Sequence, residues 1–117
     1  MNNIKLKRYN SAFEKEISII LQNEIKDDDI KFVTVTGVEI TNDLSYAKVY
    51  ITIFDKDKKE STLKALEKAK GFIRTELAKR VQIRHTPELR FVIDESIEYG
   101  NKIDNIIEKI HEKDSLN

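Results

Sequence analysis

Between two stretches with the period-two alternation of strands lies a helical stretch, Ser61 to Val81, with a glycine at its centre in Ala69-Lys70-Gly71. This order constrains the fold more than any other feature of the chain. A helix that links two strands of one sheet must cover a face of that sheet. Gly71 disturbs the pattern, because glycine inside a helix costs about 0.5–1 kcal/mol relative to alanine. Chains accept that cost where a helix kinks or where another backbone comes close. The expected order is strand, helix, break at Gly71, helix, strand. The plainer alternative is a helix that kinks only for packing.

A chain of 117 residues is the size of one domain. With 39% hydrophobic and 36% charged residues, it can build one modest core under a heavily charged surface. It has no cysteine, which excludes disulfides, zinc–thiolate sites and thiol catalysis. No apolar run approaches the ~18 residues of a membrane span. Glu14, Lys15 and Glu16 interrupt the only stretch that could serve as the core of a signal peptide. A soluble cytoplasmic protein is expected, with no membrane partner and no small-molecule substrate.

Net charge is zero, which argues against a generic polyanion binder, but the charge is unevenly spread. Residues 1–40 carry 6 basic and 7 acidic side chains, residues 41–90 carry 12 and 7, and residues 91–117 carry 3 and 7. The basic excess falls on the strand–helix–strand unit and the acidic excess on the C-terminal segment. Such a molecule can orient on a phosphate-rich surface, although chance clustering in a highly charged chain gives the same counts.

The first helix is expected to begin between Lys7 and Ala12 and to end near Lys26, with Tyr9, Phe13, Ile17, Ile20 and Leu21 on one face. Ser11 with Glu14 has the form of a capping box. Asp27-Asp28-Asp29 follows as a solvated turn, since no ligand spacing continues it toward a cation site. Val33 and Val35 alternate with threonines, and after Gly37 the phase flips to Val38 and Ile40, as at a β-bulge. The turn Asn42-Asp43-Leu44-Ser45 leads to a second strand with Ala47, Val49, Ile51 and Ile53 inward. Tyr50 and Phe54 lie on its other face, where strand packing is the ordinary role of aromatics and base stacking the alternative.

After the charged loop Asp55 to Glu60, the central helix puts Leu66, Ala69, Ile73 and Leu77 on its buried stripe. Lys64, Lys68, Gly71, Thr75 and Lys79 fall on roughly the opposite face. Pro87 suits the entrance of a third strand with Leu89, Phe91 and Ile93. A last helix carries Ile103, Ile106, Ile107 and Ile110. The expected domain is single, 1–117, with a core at about 7–95, an appended helix at about 96–112 and a frayed tail at 113–117. The fold class is α+β, a three-stranded sheet with helices on one face. Strand order stays open.

Helix, strand, strand, helix, kink, helix, strand is the arrangement of KH-like domains, which bind nucleic acid near the helix–helix junction. More specifically, Val38-Glu39-Ile40-Thr41-Asn42-Asp43-Leu44-Ser45-Tyr46-Ala47-Lys48-Val49-Tyr50 resembles the hairpin of the ribosome-binding factor A family. Ala69-Lys70-Gly71 resembles that family's helix–kink–helix motif, Ala-x-Gly in place of Gly-x-x-Gly. Thr86-Pro87-Glu88-Leu89-Arg90-Phe91, then Asp94-Glu95-Ser96, resembles its third strand, and Ile17 to Lys26, with Leu21-Gln22-Asn23-Glu24-Ile25-Lys26, the end of its first helix. The resemblance covers about Lys7 to Ile110.

It implies a KH-like fold of the second topological type. It also implies a monomeric cytoplasmic assembly factor that binds the free small ribosomal subunit and its rRNA but not assembled ribosomes. That factor would act in late small-subunit maturation and processing of the 5′ end of the rRNA precursor, and would be associated with growth in the cold. No catalysis, metal or cofactor is implied. The short acidic C-terminus departs from the family in leaving no basic tail. The expected RNA contacts are Lys64, Lys68, Lys70, Gly71, Arg74, Lys79, Arg80 and Arg84, with Lys5, Lys7 and Arg8 as a second basic patch.

Two other classes of function compete. Catalysis has little support. His85 and His111 are the only histidines, and Asp94, Glu95 and Glu98 suit a helix start as well as acid–base work. The stronger alternative is a protein-interaction module using the exposed sheet face or the C-terminal helix.

Overall fold

The computed structural model describes residues 3–94. Helix α1, Asn3–Ile19, runs into a π-helical turn at Ile20–Glu24. Strands β1, Val33–Ile40, and β2, Tyr46–Ile53, form a hairpin. A short turn of 3₁₀ helix at Lys56–Lys58 leads into α2, Lys59–Arg80, and the chain returns as β3, Glu88–Ile93. The sheet order is β1-β2-β3, with β1 antiparallel and β3 parallel to β2. Both helices pack on one face, α1 mainly on β1 and α2 on β3 and α1. The expected C-terminal helix with Ile103, Ile106, Ile107 and Ile110, and the tail, lie outside the described residues.

Hydrophobic periodicity accounts for the core. Phe13 and Ile17 of α1, with Ile20 and Leu21 of the π-helical turn, meet Val33, Val35, Val38 and Ile40 of β1. Ala47, Val49, Ile51 and Leu89 continue the layer, and Leu66, Ile73 and Leu77 of α2 close it. Burying side chains of this size contributes about 1.5–3 kcal/mol each. The phase flip at Gly37 is a bulge, because the β1–β2 register shifts between Val35 and Gly37. Thr36 is the extra residue. Its hydroxyl donates to the Asp94 carboxylate at 2.6 Å and to the Tyr50 carbonyl at 3.3 Å, so the bulge ties β1 to the end of β3.

Three expectations need correction. First, α1 already includes Asn3, so Ser11 lies inside the helix and is not its N-cap. Leu6 and Tyr9 pack against the core two turns and one turn before Phe13, and that packing carries the helix past the Ser11–Glu14 signal. Second, the helix ends at Glu24 rather than near Lys26, and Ile25 is extended. The aspartates form a turn in which the Asp27 carboxylate accepts the Asp29 N–H at 2.9 Å.

Third, α2 is one unbroken helix of 22 residues, with Gly71 at an ordinary negative φ. The break at Ala69-Lys70-Gly71 is absent. The cost of a helical glycine is smaller than the gain from seating Leu66, Ile73 and Leu77 along one straight stripe. Ala69 is only half-buried on that stripe, and Thr62 and Ala65 are buried. The Thr62 hydroxyl donates to the Asp29 carbonyl at 2.8 Å and anchors the start of α2.

The β1–β2 turn is locked by one carboxylate. Leu44 takes a positive φ of 64° with its side chain fully buried, a conformation that L-residues other than Asn and Asp rarely adopt. Asp43 holds the turn, accepting the Ser45 N–H at 3.0 Å and the Thr41 hydroxyl at 2.8 Å. The Ser45 hydrogen bond, then that of Thr41, lowers the Asp43 carboxyl from 3.8 to about 2. A depressed carboxyl pKa stabilises the fold above its unfolded value, and the contribution is lost as pH falls through the folded one. The turn should therefore be whole above about pH 4 and lose this support toward pH 2. Carboxyl-detected NMR titration should give Asp43 a midpoint near 2, and Thr41→Val should move it upward.

Candidate nucleic-acid interface

Where β2 and β3 begin, Ser45, Lys70, Gly71, Arg74, His85 and Glu88 line a shallow cleft of about 280 Å³. Its floor is the middle of α2, and its rim is the loop that enters β3. Gly71 is exposed there, and a Cβ built on it would meet nothing within 4 Å. A ligand backbone can therefore approach the helix at this point more closely than at any residue with a side chain. The Thr75 hydroxyl donates to the Gly71 carbonyl at 2.9 Å, a back-bond of the kind that slightly loosens a helix.

The basic residues divide into three groups. Lys64, Lys68 and Arg84 are exposed and make no ion pair among the described residues, and so are Lys5, Lys7 and Arg8. Lys64, Lys68, Gly71 and Thr75 form one exposed stripe of α2 about 16 Å long. Lys5, Lys7 and Arg8 precede Asn10, whose side-chain oxygen accepts the Ile40 N–H at the same end of the sheet as the cleft.

A second group is paired within its own helix: Lys70 with Glu67 at 2.8 Å and Lys79 with Glu76 at 3.3 Å. Each pair has one exposed partner, Glu67 and Lys79, and surface pairs within one helix contribute about 0–1 kcal/mol.

The third group is committed to the fold. Arg74 donates Nε to the Thr86 and Pro87 carbonyls at 3.2 and 3.3 Å, and Nη2 to Thr86 at 2.7 Å. It thereby fixes the entrance of β3, although its flank still lines the cleft. Arg80 faces three carboxylates, Glu24 at 3.1 Å, Glu76 at 3.5 Å and Glu16 at 3.6 Å. It clamps the end of α2 to α1 and has little charge left for an external phosphate.

The cleft adds Ser45 and Glu88, which were not among the expected contacts, and gives His85 a place in the same lining as Lys70. The only sequence signal for His85 is its position between Arg84 and Thr86. Among the described residues no cluster of His, Asp or Glu could hold a metal ion, and no helix is long and apolar enough to cross a membrane.

A mixed sheet covered on one face, with a glycine-bearing helix presenting cations beside a strand entrance, defines a KH-like domain of the second topological type. The chain matches the family described as ribosome-binding factor A over residues 5–107 and belongs to it. A protein of Staphylococcus epidermidis named ribosome-binding factor A is 50% identical over 115 residues, spanning 97% of this chain and 99% of that protein. Its namesake in Staphylococcus carnosus is 49% identical and spans 97% and 100%.

Among solved structures, ribosome-binding factor A from Thermus thermophilus superposes with a TM-score of 0.70 at 26% identity, covering 75% of this chain and 94% of that one. Coordinates of the Thermus factor fitted into a map of a 30S–RbfA complex give a TM-score of 0.61 at 28% identity, covering 71% and 88%.

The cleft geometry fixes the sign of a substitution at Gly71. With helical φ and open space for a methyl group, Gly71→Ala should stabilise the protein by about 0.5–1 kcal/mol. Thermal melting should rise by a few degrees. If the cleft binds a backbone closely, the same variant should bind its ligand less tightly.

Proposed function

We propose that this protein is a small-subunit assembly factor. In this reading it binds the free small ribosomal subunit and its rRNA, acts in late subunit maturation and 5′-end processing of the rRNA precursor, and supports growth in the cold. It works as a monomer in the cytoplasm and catalyses nothing. The observation that carries the reading is the family match over nearly the whole chain, joined by a relative fitted into a 30S complex.

The exposed stripe of α2 supports a mode of binding. Lys64 and Lys68 face solvent, and the Gly71 backbone lies open one turn on. Arg84 stands on the following loop. A single helix offers fewer free backbone N–H groups than a Gly-x-x-Gly loop, because its amides are already bonded within the helix. Recognition therefore rests on cations and shape, which suits a preformed RNA surface better than a free strand. Lys70, Lys79, Lys5, Lys7 and Arg8 add charge around this contact. Arg74 acts by holding the cleft open, and Arg80 by fixing α2 on α1.

Sucrose-gradient co-sedimentation at physiological salt tests the reading. The protein should travel with free small subunits and not with assembled ribosomes. Reversing charge at Lys64 and Lys68 should weaken binding and lower its salt slope by about one for each phosphate no longer neutralised. Equal binding to both particles would sink the reading. Unchanged binding by the reversed variant would move the contact elsewhere.

A further inference from the structure

We propose that the open face of the sheet is a second RNA site, on which an unpaired strand stacks bases against Phe32 and Phe54. The two residues flank the terminal rung of the β1–β2 ladder, Val33 with Ile53. Both lie just outside the strands, and the alternation of β1 and β2 continued by one residue puts them on the face opposite the core. Phe54 is 85% exposed and Phe32 59%. Their ring centroids are 6.1 Å apart with the planes inclined at 45°, and the greater exposure of Phe54 makes it the principal stacking surface. Neither ring belongs to the core.

The rest of the face supplies what a nucleotide needs. Tyr50 lies four residues before Phe54 on the same side of β2, about 13 Å away. Its hydroxyl donates to Glu39 at 3.3 Å. Burial, then the Glu39 carboxylate, raises the phenol pKa and keeps it a neutral donor. Lys31 Nζ lies 5.6 Å from the Phe32 centroid, Lys48 is exposed on β2, and Lys59 shares a groove with Tyr50 and Val92. These cations can reach phosphates of a strand whose bases sit on the rings. Two carboxylates of the face already accept protein hydroxyls, Glu39 from Tyr50 and Asp94 from Thr36. The Asp55 carboxylate is turned onto the Asp57 N–H.

The chemistry favours RNA over a protein partner. Among the described residues, Val92 is the only large aliphatic exposed on this face, whereas protein interfaces are built around a desolvated apolar centre. Exposed rings interleaved with lysines are the elements of a single-strand platform. A duplex keeps its bases stacked inside and cannot use it. The helix-side cleft lies across the sheet, so a protein seated by α2 could hold a second, unpaired strand on its other side. The proposal rests on the small-subunit reading only for the source of that strand.

The test is fluorescence anisotropy with a labelled uridine decamer, run beside subunit co-sedimentation. Phe54→Ala should weaken decamer binding roughly tenfold with an unchanged salt slope, since a ring releases no counterions. Its thermal midpoint should not move, because Phe54 is outside the core. The chain has no tryptophan, so Phe54→Trp provides a unique probe. That variant should keep its affinity and show indole quenching as a base stacks.

No decamer binding by the unaltered protein, unchanged binding by Phe54→Ala, or equal competition by a duplex would each overturn the proposal. So would a Phe54→Ala variant that loses subunits but keeps the decamer, which would assign the face to a ribosomal protein. Subunit binding that persists while decamer binding fails removes the sheet site and leaves the assembly-factor reading intact.

Discussion

The parallel pairing of β2 with β3 is the constraint from which the rest of the structure follows. Neighbouring parallel strands need a long crossover to bring the chain back to the starting end. Here that crossover is α2, which must lie on the sheet to bury Leu66, Ile73 and Leu77. Once this stripe is inward, helical geometry sends Lys64, Lys68 and Gly71 outward. The cationic face is thus a by-product of the same register that builds the core. The return loop from Val81 to Pro87 then has to close onto the start of β3, and it forms the rim of the cleft.

Two arginines hold that geometry in place. Arg74 bonds the carbonyls of Thr86 and Pro87 just before the strand pairs with β2. Arg80 gathers Glu16, Glu24 and Glu76, from both helices. The π-helical turn at Ile20–Glu24 helps, since it places Ile20 and Leu21 together in the core and leaves Glu24 within reach of Arg80. Two arginines that look available in the sequence, Arg74 and Arg80, are therefore committed to orientation, and the cations beside the cleft left exposed and without an ion pair among the described residues are Lys64, Lys68 and Arg84.

Much of this was legible in the sequence. The bulge at Gly37 shows as a phase flip because strand alternation is strict, and the buried stripe of α2 shows through its period. What was not legible depended on distant partners. Nothing local to β3 says that it pairs with β2 in parallel. Nothing near Arg74 or Arg80 identifies carbonyls twelve residues on or carboxylates on another helix. Gly71 misled for a different reason. Its helix penalty is at most about 1 kcal/mol, less than the burial of any one of the large side chains beside it on α2, so the helix continues through it unbroken. The capping signal at Ser11 lost in the same way to Leu6 and Tyr9. At the opposite face, Phe54 read as a strand aromatic until the ladder ended one residue short of it.

The central claim is that the exposed stripe of α2 faces the rRNA. The absence of cysteine makes a direct test simple, since a photoactivatable cross-linker can be attached at one engineered thiol. Lys68→Cys puts it on the stripe, and Gln22→Cys puts it on the exposed surface of the π-helical turn. On free small subunits, the probe at 68 should cross-link to rRNA and the probe at 22 should not. Cross-links from 22 with none from 68 would contradict the account.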